Sequence, residues 1–87
     1  MRLDKYLKVS RIIKRRTLAK DAAEAERVLV NNLPAKPSKD IKVGDHITIY
    51  FGKKIVEIEV LNLFDSTKIK DASLMYKLIS EKEKVGD

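Results

Sequence analysis

The chain has no cysteine and no tryptophan, and only one histidine, two prolines and three glycines among its 87 residues. Without cysteine there is no disulfide framework, no thiolate metal site and no cysteine nucleophile. The single histidine, His46, alternates with Ile47 in an apolar-polar pattern and reads as a solvent-facing strand residue rather than a general base. Three glycines leave no Gly-rich phosphate loop. Carboxylates are scattered singly except for Glu57 and Glu59. Strand geometry sets those two about 7 Å apart on one face, and they read as a solubilising edge rather than an acid–base pair. No catalytic constellation converges, so no enzyme activity, metal or cofactor is expected. No apolar run approaches membrane-spanning length, and no short apolar signal core precedes a small-residue cleavage site. A cytoplasmic, monomeric, single-domain protein with a small core is the expectation.

What the chain does have is charge, unevenly distributed. The first twenty residues hold eight basic side chains (Arg2, Lys5, Lys8, Arg11, Lys14, Arg15, Arg16 and Lys20) against Asp4 alone, which is +7. The remaining 67 residues hold eleven basic and twelve acidic groups, or −1, and the two parts give the net +6. A positive field concentrated in this way calls for a polyanion, and a nucleic-acid backbone is the commonest. An organellar transit peptide fits poorly, because Ser10 is the only serine of the segment and its removal would take Leu3, Leu7, Ile12 and Ile13 from a small core. A membrane-surface helix shares the composition but favours the Trp or Phe that this segment lacks. It stands as the rival from another functional class.

Residues 3 to 9 place Leu3, Tyr6, Leu7 and Val9 near one side at helical spacing, with Arg2, Lys5 and Lys8 following one another at intervals of three. A short amphipathic helix with a charged ridge is expected. Ser10 to Arg16 reads as a connector, and Thr17 as the N-cap of a second helix from Leu18 to about Ala25, in which Leu18, Ala22 and Ala25 share a face. Val28-Leu29-Val30 is a short β-branched run, followed by Asn31-Asn32, residues that tolerate the left-handed backbone of a tight hairpin. Leu33 to Lys39, with Pro34 and Pro37, is excluded from a central strand. Strands are predicted over His46 to Phe51 and Ile55 to Leu61, turning at Gly52-Lys53-Lys54, with Val56, Ile58 and Val60 on the core side. A linker through Asp65, Ser66 and Thr67 and a C-terminal amphipathic helix, roughly Asp71 to Lys84, complete the pattern; Ala72, Met75, Leu78 and Ile79 line one side of that helix. The expected organisation is a domain over residues 1–61 and a linker with a helix over residues 62–87.

Backbone N–H groups at a helix start attract anions, and here Arg15 and Arg16 precede Thr17. One phosphate can then receive backbone donors, a hydroxyl and a bidentate guanidinium fork. Of the five aromatic residues only Tyr50 falls on an expected wet strand face, so recognition of RNA shape and backbone is expected over base stacking.

Four segments in register carry a resemblance: Arg2-Leu3-Asp4-Lys5-Tyr6-Leu7, Arg15-Arg16-Thr17-Leu18-Ala19-Lys20, Val28-Leu29-Val30-Asn31 and Val43-Gly44-Asp45. Their order and spacing resemble the S4-like RNA-binding domain, over about residues 1 to 61. The resemblance implies an α+β fold with two N-terminal helices on a small, mostly antiparallel sheet. A free-standing copy of this length most resembles the ribosome-associated quality-control branch of the family, and more distantly its heat-shock branch. Members of the former bind obstructed large ribosomal subunits, hold peptidyl-tRNA near the P site and contact a nearby rRNA hairpin. A partner factor of the same pathway recruits alanyl-tRNA, so that the stalled chain receives a C-terminal alanine tail. The heat-shock branch implies large-subunit rescue without tailing. By the same resemblance, Arg2 and Arg16 match the RNA-contacting arginines, and Lys8, Arg11, Lys14, Arg15 and Lys20 match flanking basic positions. Lys5 and Thr17 join this expected RNA-binding set from the reading of the residues themselves.

The chain departs from the family at Glu26 and Asn32, where glycine is usual. At Glu26 a left-handed backbone costs an ordinary residue about 1 kcal/mol, so the second helix is expected to run one residue further.

Overall fold

The computed structural model describes residues 1–65 and 69–83. In chain order these form α1 (Leu3–Val9), α2 (Arg16–Glu24), β1 (Val28–Val30), β2 (Leu33–Pro34), β3 (His46–Phe51), β4 (Lys54–Val60), a single helical turn α3 (Ile69–Ala72) and β5 (Tyr76–Glu83). The strands make one sheet in the order β2-β1-β3-β4-β5. Every neighbouring pair is antiparallel, so the α+β class stands. The core unites Leu3, Tyr6 and Leu7 of α1 and Ala19 and Ala23 of α2 with Val28, Val30, Ile47, Ile49, Ile58 and Val60 of the sheet.

Helix α1 forms where the 3-4 spacing of Leu3, Tyr6 and Leu7 gives a fully buried stripe. Its first N–H groups, unsatisfied within any helix, find acceptors in the proline-containing loop: Leu3 donates to the Lys39 carbonyl at 2.8 Å and Asp4 to that of Pro37 at 3.1 Å. The segment barred from the sheet centre by its prolines thus supplies a two-residue edge strand and the cap of α1.

Helix α2 begins two residues earlier than a Thr17 cap allows. Arg15 is the extended N-cap residue and makes no side-chain cap bond. The Ala19 N–H already bonds the Arg15 carbonyl at 3.1 Å, which puts Thr17 inside the first turn. The buried face is also rotated from the expected one: Ala19 and Ala23 meet the core, while Leu18 is half exposed. Two methyl groups at the contact let α2 lie close to α1, where a leucine would hold it off.

The helix does not gain the extra residue expected of it and ends at Glu24. Ala25 is the C-cap, and Glu26 takes the left-handed conformation at φ 59. The Arg27 N–H bonds the Ala22 carbonyl at 2.9 Å and the Glu26 N–H that of Ala23 at 3.0 Å, the paired bonds of a Schellman motif. Those two bonds, and the entry into β1, hold a glutamate where glycine would be unstrained. Glu26→Gly is expected to stabilise the protein by about 0.5–1 kcal/mol, the relief of the Cβ clash less the extra freedom of glycine in the unfolded chain. Chemical denaturation of the two proteins measures it.

Asn31 and Asn32 adopt φ 52 and 69 and turn β1 into β2 as expected. The β3–β4 hairpin turns at Gly52 (φ 51) and pairs Ile47 with Ile58 and Ile49 with Val56. Ile47, Ile49, Ile58 and Val60 are fully buried. Phe51, on the same side but at the strand's end, lies beyond the cover of the helices and stays partly exposed.

The expected C-terminal helix is corrected. Apart from the single turn α3, the segment is strand β5, which pairs along β4 from Val60–Tyr76 to Lys54–Glu83. Of the expected apolar stripe, Ala72 and Met75 are buried, whereas Leu78 and Ile79 are exposed. The ladder satisfies the free N–H and C=O groups along β4, a return a local helix cannot give. The expected linker positions Ser66 and Thr67, and Lys84 at the expected helix end, lie outside the described residues. Tyr6 ties this segment to α1: its hydroxyl donates to the Met75 carbonyl at 2.7 Å. Burial, with the nearby Tyr76, pushes the phenol pKa far up, so the donor keeps its proton.

Candidate nucleic-acid interface

The organising group of the basic segment is its one acid. Asp4, in the first turn of α1, is buried. One of its oxygens accepts the Lys5 N–H at 2.8 Å. Arg2 approaches with Nε 3.2 Å from Oδ1 and Nη2 3.3 Å from Oδ2, a two-point contact. Arg16 arrives from the start of α2, with Nη2 3.4 Å from Oδ1. Two guanidinium groups therefore converge on one carboxylate, leaving a local excess of positive charge. Both arginine side chains remain about half exposed, so their outward N–H donors stay available.

Burial pushes the Asp4 carboxyl up, but the bonds from Arg2 and the Lys5 amide, with the bond and charge of Arg16, outweigh it and hold the pKa below the ordinary 3.8. A carboxylate depressed in the folded state contributes stability above its unfolded pKa and loses that contribution as pH falls through the folded value. Stability should accordingly fall as pH drops below about 4, and Asp4→Asn, less stable at neutral pH, should show a shallower acid limb. Thermal melts at stepped pH measure both. Asp40, paired with the Met1 amino group at 2.9 Å and likewise depressed by that bond, adds to the limb at an exposed site.

The other expected site residues divide. Lys20, one turn after Arg16, joins Arg2 along a groove of about 510 Å³ that also takes in Lys36, Glu24 and Glu26. Lys5 is drawn toward Asp65, with Nζ 3.3 Å from its carboxylate. Lys8, Lys14 and Arg15 are exposed, as is Thr17. Arg11 is also exposed, in the connector, with φ 63. Sequence reasoning counted Asp4 only as the lone acid in a basic run. Its placement two residues after Arg2 was the available signal, but the partnership with Arg16 exists only in the folded chain.

His46 stands on the exposed side of β3, as expected, with Nδ1 3.3 Å from Glu57 and Nε2 3.9 Å from Glu59. The two glutamates are not at an edge, since β5 covers β4. Among the described residues no group of three or more His, Asp or Glu side chains is arranged to hold a metal ion. Among them, too, no helix is long and apolar enough to cross a membrane.

Two helices bearing a basic pair, packed on a small antiparallel sheet, define an S4-type module, and residues 1–47 match the S4 domain. The whole chain aligns with the RQC P-site tRNA stabilizing factor of Bacillus subtilis at 52% identity, covering 100% of both proteins. The protein of that name from Streptococcus pneumoniae is 58% identical over 81 residues, 93% of this chain and 92% of its own. Among solved structures, the trimeric heat shock protein 15 of Vibrio cholerae superposes with a TM-score of 0.86 at 32% identity, covering 92% of this chain and 82% of that one. The chain belongs to the S4-domain family of RQC P-site tRNA stabilizing factors, with the heat shock protein 15 group as its relatives.

Proposed function

We propose that this protein is a non-catalytic, cytoplasmic, ribosome-associated RNA-binding factor of ribosome quality control. It binds rRNA and P-site peptidyl-tRNA on obstructed large subunits and supports C-terminal alanine tailing of the stalled chain, beside the tRNA-recruiting factor of the same pathway. The observation that carries this reading is the convergence of Arg2 and Arg16 on buried Asp4. A carboxylate that fixes two guanidinium groups presents their remaining donors as a pre-oriented phosphate fork, at less entropy cost than two free side chains. Around it Lys8, Arg11, Lys14, Arg15 and Lys20 supply the field, Lys5 adds its charge, and the uncapped first turn of α2 at Thr17 offers backbone N–H groups to an anion. The names of the relatives, which specify RQC and P-site tRNA, support a quality-control role at P-site tRNA.

The test is affinity isolation of the tagged chain from cells with stalled ribosomes. Large-subunit rRNA, peptidyl-tRNA and alanine-tailed chains should be recovered together, with the protein as a monomer on the subunit. Recovery of the first two without tails would favour the heat-shock type of action. Flotation with anionic liposomes instead would favour the membrane-surface rival.

A further inference from the structure

The proline-containing loop that caps α1 carries Lys36 and Lys39, basic residues outside the N-terminal set. Burial of Ala35, Pro37 and Ile41 pins the loop to the domain, while both lysines stay exposed. The Lys39 N–H bonds the Lys36 carbonyl at 2.9 Å, closing a turn that brings the two residues close, with the fixed φ of Pro37 at its second position. The acid of this loop, Asp40, is taken up by the Met1 amino group at 2.9 Å. Neither lysine forms an ion pair among the described residues.

The loop lies directly beside the arginine pair. The N–H of Asp4, whose carboxylate anchors Arg2 and Arg16, bonds the Pro37 carbonyl at 3.1 Å, so Lys36 and Ser38 flank the start of α1. With Arg2 and Lys20 they line the groove of about 510 Å³. A second groove, of about 290 Å³, shares Lys36 and Ser38 and adds Lys39. The carboxylates of the first groove belong to the far end of α2: Arg16, Lys20 and Glu24 follow at four-residue steps along one stripe, so Glu24, and Glu26 after it, lie a turn or more beyond Lys20. Phosphates leaving the arginine pair therefore meet cations on the loop and carboxylates further along α2, a distribution that steers the backbone onto the loop. We propose that this loop is a second contact for RNA phosphates: the backbone held by Arg2 and Arg16 crosses the groove beside Lys20 and continues over Lys36 and Lys39, with the Ser38 hydroxyl as a further donor. It rests on the reading of the arginine pair as an RNA contact and extends that contact from the helices to a loop whose conformation is set before RNA arrives.

Salt titration of binding to large subunits, with and without peptidyl-tRNA, tests it. Lys36→Gln combined with Lys39→Gln should weaken binding severalfold and reduce the magnitude of the log–log salt slope by roughly 1.4–1.8, at about 0.7–0.9 per contact. Both residues are exposed, so the melting temperature should stay where it is. Lys36→Arg combined with Lys39→Arg should keep the slope. Lys53→Gln combined with Lys77→Gln removes the same charge from the β3–β4 turn and from β5 and should leave the slope as it was. A reduction on both kinds of subunit supports rRNA phosphates as the ligand, and one confined to subunits carrying peptidyl-tRNA supports those of the tRNA. An unchanged slope for the loop variant, where replacement of Arg2 and Arg16 reduces it, would overturn the loop contact and leave the arginine site standing. Equal reductions by the loop variant and the Lys53–Lys77 variant would also overturn it, since a general field of charge would then account for both. A slope near zero for the unaltered protein would overturn both readings.

Discussion

A chain ending at Met75 is expected to melt far below the intact protein. The truncation removes β5, opens the whole length of β4 and uncovers one side of Ile58 and Val60, which are fully buried in the intact sheet. Losing the cover of two or three aliphatic side chains costs on the order of 3 kcal/mol or more. For a domain of this size that lowers Tm by about 12–24 °C. A melting temperature within a few degrees of the intact chain would mean that the first four strands are self-sufficient and that β5 is an accessory.

That strand also shows where the sequence misleads. Ala72, Met75, Leu78 and Ile79 recur at helical spacing, and Glu81-Lys82-Glu83 has helical composition. The register shifts between Glu57 and Ile58, where Ile58 faces Leu78 and Glu57 faces Ser80. Ile79 is thus the extra residue of a bulge, which breaks the alternation that would betray a strand. The decisive factor, an open edge on β4, is non-local. By contrast α1 and the β3–β4 hairpin were legible because each carries its full period locally: Leu3, Tyr6 and Leu7 in one, and Ile47 and Ile49 facing Val56 and Ile58 in the other. The basic set was legible as charge and Asp4 was not legible as its anchor, because Arg16 lies twelve residues away along the chain. Thr17 looks like a cap by residue type, yet α2 starts at Arg16, whose side chain reaches back to α1.

Arg16→Ala should weaken RNA binding by roughly 10- to 100-fold, the worth of one charge-assisted, two-point phosphate contact. The same change should cost no more than about 1 kcal/mol of stability, because the lost contact is long and half exposed and Asp4 keeps Arg2 and the Lys5 N–H. Arg16→Lys should recover only part of the binding, since an ammonium keeps the charge and loses the fork. Asp4→Asn is the complementary change. It leaves both arginines in place and unanchored, so binding should weaken although the net positive charge rises, an outcome that a mere field of charge does not produce. Tighter binding by Asp4→Asn would show that charge alone, without positioning, governs the site.

The central claim, that the paired arginines and their basic neighbours hold RNA phosphates, is tested most directly by the salt dependence of binding to large subunits carrying peptidyl-tRNA. With about five or six phosphates neutralised, the slope of log affinity against log salt should be about −4 to −5, and replacing Arg2 and Arg16 together should reduce its magnitude by roughly 1.4–1.8, at about 0.7–0.9 per contact. A slope near zero, or one that the double replacement leaves unchanged, would contradict it.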